Sequence, residues 1–254
     1  MTSLDGRVAL VTGGGRGIGR AISIGLAEDG AAVAVNYRKD ADAAQEVVDI
    51  IRKNGGSASA YQASVDDAEQ DAAMVERVLE DFGYVDILVH NAGIASRGRS
   101  VADTDPDELQ RVVATHALSA HHLARLVLPS MRTRDRGDIV MISSAATIRI
   151  SANGAPYNMG KAALEALARG LAKEEVRNGI HVNIVAPGLV DTEMGRRLIK
   201  ATAGVDDIRK LDAMSPFGRV CAPEDVADVV RFFVSEAAGY VTGQIVYVDG
   251  GSGA

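Results

Sequence analysis

Hydrophobic and polar positions follow two rhythms along this chain. Short runs rich in small and β-branched residues occupy 8–12, 31–36, 57–62, 87–90, 139–143, 181–185 and 244–248. Between them lie amphipathic or alanine-rich stretches near 17–29, 41–54, 67–82, 106–133, 156–178 and 223–235. Strands that are apolar on both faces and alternate with helices predict an α/β fold, a doubly wound Rossmann-type parallel sheet of seven strands covered by helices on both sides. No repeat, low-complexity tract or Pro/Gly/Ser linker divides the chain, so residues 1–254 are read as a single domain. The alternation breaks only at 192–219, after the sixth strand. Ligands bind beyond the carboxyl ends of such strands, which makes this stretch a candidate substrate lid.

Composition narrows the classes. Hydrophobic residues make up 47% of the chain and charged residues 24%, an ordinary globular balance. The formal charge of −7 opposes general capture of nucleic acid or an anionic membrane. No apolar run approaches a membrane span, and the first residues lack a basic, then apolar, leader pattern. Cys221 is the only cysteine, which excludes an internal disulfide; a cytoplasmic location is the expectation. His121 and His122 are adjacent on a predicted helix and diverge by about 100°, a poor chelating pair, so no metal is expected. Cys221, Glu165 and Asp191 are read as structural or solvated.

The first strand runs into Thr12-Gly13-Gly14-Gly15-Arg16-Gly17-Ile18-Gly19 and then a helix. Glycines allow close backbone approach and positive φ, and the helix N-terminus offers free N–H groups to a pyrophosphate. The spacing of Gly13, Gly17 and Gly19 is GxxxGxG rather than GxGxxG. An acidic residue ending the second strand would hold an adenosine 2′-hydroxyl, but here the chain reads Asn36-Tyr37-Arg38-Lys39, with no carboxylate until Asp40. Arg38 with Arg16 offers guanidinium forks to a 2′-phosphate, so NADP(H) is expected over NAD(H).

Tyr157 and Lys161 are four residues apart in a helical pattern and share a face, while Ser144 ends the fifth strand at the same sheet edge as the glycine loop. A phenol titrates near ~10, and a neighbouring ammonium together with an oxidised nicotinamide would favour its phenolate. A serine hydroxyl can hold a substrate oxygen as hydride arrives or leaves.

With these motifs in place, the whole chain resembles the classical short-chain dehydrogenase/reductase family, nearest its 3-oxoacyl-[acyl-carrier-protein] reductase type. Thr12 to Gly19 matches TGxxxGxG, Asn91-Ala92-Gly93 matches NAG, and Pro187-Gly188 with Thr192 matches PGxxxT. The resemblance implies strand order 3-2-1-4-5-6-7, Tyr157 as acid/base, and Lys161 tuning it and holding the nicotinamide ribose. It also implies Pro187, Gly188, Val190 and Thr192 around the nicotinamide, Ser64 and Val65 at the adenine, and a homotetramer formed through 106–133, 156–178 and the tail 249–254. Three residues depart from the family pattern. His90 precedes Asn91 where the family has Asn, Ser64 replaces an acidic residue, and His116 stands where the catalytic tetrad has an Asn. That Asn lends its backbone carbonyl to a water beside the lysine, and His116 can do the same. Its imidazole, titrating around ~6.5 when unperturbed, is expected to place a cation beside Lys161 below neutral pH and so shape the acid limb of turnover.

The activity implied is hydride transfer between NADP(H) and a carbonyl or secondary alcohol, on a 3-oxoacyl thioester or similar ketone. The alternatives are an alcohol, sugar or steroid dehydrogenase, a catalytically silent NADP(H) sensor, or a structural subunit. Arg97, Arg99, Arg149, Arg196, Arg197 and Lys200 are expected near the pocket mouth. A second group, Arg132, Arg134, Arg136 and Arg177, is a candidate dock for an acidic carrier protein or coenzyme A.

Overall fold

A computed structural model describes residues 3–252. Gly253 and Ala254, the end of the tail expected at a subunit contact, lie outside the described residues. Seven strands form one sheet: β1 (Val8–Val11), β2 (Ala32–Tyr37), β3 (Ala58–Gln62), β4 (Ile87–His90), β5 (Gly137–Ile142), β6 (Ile180–Pro187) and β7 (Ile245–Val248). All are parallel, in the order β3-β2-β1-β4-β5-β6-β7, as the resemblance implies. The strand ends agree with the sequence reading to within two residues, β4 matching at both ends, and where they differ ladder hydrogen bonds rather than hydropathy set them.

Eight helices flank the sheet: α1 (Gly17–Glu28), α2 (Ala41–Lys53), α3 (Ala68–Phe82), α4 (Pro106–Val113), α5 (Ser119–Met131), α6 (Ala155–Glu175), α7 (Glu193–Ala203) and α8 (Pro223–Val234). Ile22, Leu26, Val47, Ile51, Val230 and Phe233 pack with Val11, Val33 and Val185 on one face. On the other, Met74, Val78, Leu123, Met131 and Leu164 pack with Leu10, Leu88 and Ile184. Burial on both faces explains why the strands read as continuous apolar runs. Among the described residues no helix is long and apolar enough to cross a membrane.

The stretch 106–133 is not one helix. Residues Ala114–Leu118 form a π turn between α4 and α5. Thr115 Oγ1 donates to the Arg111 carbonyl at 2.8 Å and Ser119 Oγ to the Thr115 carbonyl at 2.7 Å, so side-chain hydroxyls take carbonyls of the regular ladder. Such turns gather at functional sites; this one carries His116. The stretch 192–219, read as a lid, consists of α7 followed by short 3-10 turns at Ile208–Met214 and Pro216–Gly218.

The amino edge of the sheet gathers charge. Asp138 accepts from Arg7 and Arg136, Asp86 from Arg134 and the Val8 amide, and Glu175 from Arg132. Three of the four guanidiniums read as a carrier-protein dock are thus bound to buried carboxylates, at the edge opposite the glycine loop.

Asp71 on α3 is fully buried with both carboxylate oxygens unpartnered. Burial first, then the charges of Asp67 and Asp66, push its carboxyl up to about 8. The folded chain therefore keeps a proton that the unfolded chain releases near pH 4, and stability falls as pH rises from about 4 to about 8, by on the order of 5 kcal/mol. Asp71→Val is expected to raise the melting temperature, and by more at pH 8 than at pH 5. Equal gains at both pH values would show that the carboxyl does not titrate in this way.

Candidate active site

The glycine loop leaves β1 and enters α1 with Gly13 and Gly17 at positive φ. A Cβ on Gly19 would lie 2.6 Å from Asn91 Nδ2, and one on Gly17 would lie 3.3 Å from Thr192 Cγ2. The loop is braced from two strands. Asn36 Oδ1 accepts the Gly13 amide at 3.1 Å, and Asn91 Nδ2 donates to the Thr12 carbonyl at 2.9 Å and the Gly13 carbonyl at 3.2 Å. Thr12 Oγ1 accepts the Asn91 and Ala92 amides. Asn91 thus holds the loop from behind, a role its motif alone does not reveal. No side chain caps the N-terminus of α1 and no acidic residue sits in its first turn. Its N–H groups stay free for an anion, and a dinucleotide pyrophosphate fits this cradle.

Across the cleft, Thr192 caps α7, its Oγ1 accepting the Gly195 amide at 3.1 Å. Gly188 lies against Asp249, and Val190 bridges to Cys221. At the end of β2, Tyr37 is half-buried and Arg38 exposed, with no ion-pair partner among the described residues. Arg16 instead pairs with Glu193 at 3.2 Å. Ser64 is half-buried, its amide donating to Gln70 Oε1 at 2.9 Å, and Val65 joins the core.

Ser144, at the end of β5, hydrogen-bonds Tyr157 in the first turn of α6. Lys161, one turn on, is 3% exposed and donates to the Ile142 carbonyl at 2.7 Å, with Nζ 5.9 Å from the Tyr157 ring. Burial raises the phenol above its ordinary range, against the opposing Ser144 hydrogen bond. Burial depresses Lys161 to about 7, against the opposing charge of Glu165. The phenol is therefore a protonated donor at neutral pH. The lowering expected from an ammonium and an oxidised nicotinamide together is not present in the chain by itself. Ile18, Ala92 and Gly93 complete the carboxyl edge.

Residues 13–253 match a family model described as enoyl-(acyl carrier protein) reductase. Versicolorin reductase of Emericella nidulans is 40% identical over 98% of this chain and 96% of its own length. The 3-oxoacyl-[acyl-carrier-protein] reductase of Synechocystis is 35% identical over 99% and 98%. A crystal structure of an angucycline C-6 ketoreductase with bound NADP superposes with TM-score 0.89 at 37% identity, over 99% of this chain and 97% of that one. The chain belongs to the classical short-chain dehydrogenase/reductase family.

In this short-chain dehydrogenase/reductase, His116 differs from its expected behaviour. The ring is 1% exposed, and burial and then the Lys161 charge hold it down to about 2. Burial and the Lys161 charge both favour the neutral ring, against the cationic His116 expected to shape the acid limb. His90, fully buried, is likewise held down to about 3 by burial first and Lys161 second.

The cations expected at the pocket mouth are mostly paired: Arg97 with Glu108, Arg196 with Asp191, Arg197 with Glu193 and Lys200 with Asp206. Asp191 holds Arg196 and Arg209, and Glu165 accepts from Ser143 Oγ at 2.7 Å. Cys221 is pushed up to about 12 by burial and then by Asp225, which keeps the thiol protonated.

The sequence reading missed Asn36, the Ile142 carbonyl, Ser143 and Gly160. A lone Asn inside the apolar run 31–36 was the available signal for the first. Glu165 is the one carboxylate raising Lys161, so Glu165→Gln is expected to carry the Lys161 midpoint below about 7. The titration of isotope-labelled lysine measures it, and an unmoved or higher midpoint would exclude this coupling.

Proposed function

We propose that the chain is an NADP(H)-dependent reductase of a neutral, apolar ketone. The observation that carries the reductive direction is Tyr157: its phenol is protonated at neutral pH, hydrogen-bonded to Ser144 and set beside the buried Lys161. When bound, the cofactor supplies the hydride. The chain's own groups do the rest. Ser144 holds the carbonyl oxygen, Tyr157 gives it a proton, and Lys161 stabilises the phenolate left behind. Gly13, Gly17 and Gly19 admit the pyrophosphate, Arg38 receives the 2′-phosphate, and Thr192 and Val190 face the nicotinamide.

Exposed apolar side chains border the cleft. Ile148 and Ile150 follow Ser144, Met194 and Leu198 follow Thr192, and Met214 and Phe217 lie farther along the lid. All six are exposed, Phe217 at 90% with a backbone φ of 58°. A row of apolar side chains beside paired cations suits an uncharged ring ketone better than a charged carrier. The versicolorin and angucycline reductases among its relatives agree with that choice. A 3-oxoacyl thioester is the second reading, favoured by the family model and the Synechocystis relative. Leu118, Val176 and Tyr240, exposed on the helices and near the tail, support a homotetramer.

NADPH is expected to bind more tightly than NADH, by about tenfold or more, as one charge-assisted phosphate contact warrants. Arg38→Asp should erase or reverse the preference; equal affinities in the unmodified protein would remove the NADP(H) assignment. In NADPH oxidation against hydroxylated polycyclic ketones and 3-oxoacyl thioesters, the ring ketones are expected to give the higher kcat/KM. Tyr157→Phe should lower turnover by roughly a thousandfold with cofactor binding intact. Cofactor binding without reduction of either class would favour the silent sensor.

A further inference from the structure

Arg16 and Glu193 make the one ion pair, among the described residues, that crosses from the glycine loop to the stretch 192–219. Arg16 is the residue before α1, and Glu193 opens α7 directly after the capping Thr192. The two segments also touch there, since a Cβ on Gly17 would meet Thr192 Cγ2 at 3.3 Å. Arg196 and Arg209 hold instead to Asp191, at the root of the lid itself.

The crossing pair is suited to exchange. A single N–H reaches a single oxygen, Nη1 to Oε2 at 3.2 Å, and the two side chains are 69% and 54% exposed. An exposed pair of this kind contributes little, whereas a guanidinium takes a phosphate through two parallel, charge-assisted hydrogen bonds. Glu193 also loses little when Arg16 leaves. Its other oxygen, Oε1, is bound by Arg197 one turn along α7, and a carboxylate is favoured in the first turn of a helix.

The position of Arg16 gives the exchange its partner. The glycine loop lies against the end of β2: the Gly13 amide donates to Asn36 Oδ1 and the Gly14 amide to the Asn36 carbonyl, and a Cβ on Gly14 would meet Val35 Cγ1 at 3.1 Å. Tyr37 and Arg38 continue from that point. Arg16 follows Gly14 by two residues and is thereby placed between the end of β2 and the start of α7. Of the two guanidiniums offered to a 2′-phosphate, Arg38 is without an ion-pair partner among the described residues and Arg16 is already engaged.

We propose that Glu193 is a determinant of cofactor choice, because it competes with the 2′-phosphate of NADP(H) for the Arg16 guanidinium. NADPH takes Arg16 from Glu193 and leaves the carboxylate with Arg197. NADH has no such phosphate, so the pair persists and the loop stays tied to the lid. The preference for NADPH is therefore held below what Arg16 and Arg38 would give together. Glu193 touches no reacting atom and acts through Arg16 as a positioning residue.

The inference rests on the NADP(H) reading, and binding to the substrate-free protein tests it without turnover. Dissociation constants for NADPH and NADH are measured by nicotinamide fluorescence for the unmodified chain, Glu193→Gln, Arg16→Ala and the double variant. Glu193→Gln is expected to raise the ratio of NADPH to NADH affinity about two- to fivefold, the worth of one exposed ion pair. With Arg16→Ala already in place, the same substitution should leave the ratio where it was. Adenosine 2′,5′-bisphosphate compared with adenosine 5′-phosphate should show the same pattern with no nicotinamide present. A ratio unmoved by Glu193→Gln would mean that the pair only ties loop to lid. An equal rise in the absence of Arg16 would mean that Glu193 acts by its charge at a distance, and either result overturns the proposal. An unmodified chain that binds NADPH no better than NADH would instead defeat the NADP(H) reading, and the response of the ratio to Glu193→Gln would still decide the competition.

Discussion

The buried ammonium of Lys161, donating to the carbonyl of Ile142, is the interaction on which the site depends. It joins the carboxyl end of β5 to the first turns of α6, and so fixes Tyr157 relative to Ser144. A lone ammonium in a core carries a heavy desolvation cost, and here it keeps its charge only partly, with Glu165 opposing the loss. Much of the surrounding sequence follows from that cost. Both histidines nearby are held neutral by burial first and by the lysine's charge second, and Ser143 holds Glu165 where its charge acts on the lysine.

The sheet separates two kinds of charge. At its amino edge, Asp86, Asp138 and Glu175 are consumed by arginines that tie strands to helices. At its carboxyl edge Tyr157, Lys161, His90 and His116 are buried, and burial is the first cause of the shift in each. Parallel strands place every carboxyl end on one side, so a structural rim and a chemical rim arise from the topology itself. The glycine loop belongs to the second rim, and Asn36 and Asn91 keep it open by satisfying its backbone from behind.

The stretch 192–219 is held by ion pairs. Asp191 clamps it through Arg196 and Arg209, while Glu193 joins Arg16 to Arg197. Those pairs neutralise cations that a linear reading offered to a charged substrate, and they leave apolar side chains as the exposed chemistry beside the cleft. Arg38 keeps its charge free at the end of β2.

Sequence by itself determined the seven strands, their parallel order through the family resemblance, the glycine loop and the grouping of Ser144, Tyr157 and Lys161. Local periodicity and contiguous motifs carry that information, because apolar runs and four-residue helical spacing survive without neighbours. Only the tertiary structure decided the protonation of His116 and Asp71, the break of 106–133 into two helices around a π turn, and which arginines are spent. Each of these depends on groups distant in the chain: burial sets a pKa by what surrounds a residue in space, and an ion pair such as Arg7 with Asp138 joins residues that no local pattern relates. The close approach of Gly160 to His116 is of the same kind, since only the packed fold brings the two together.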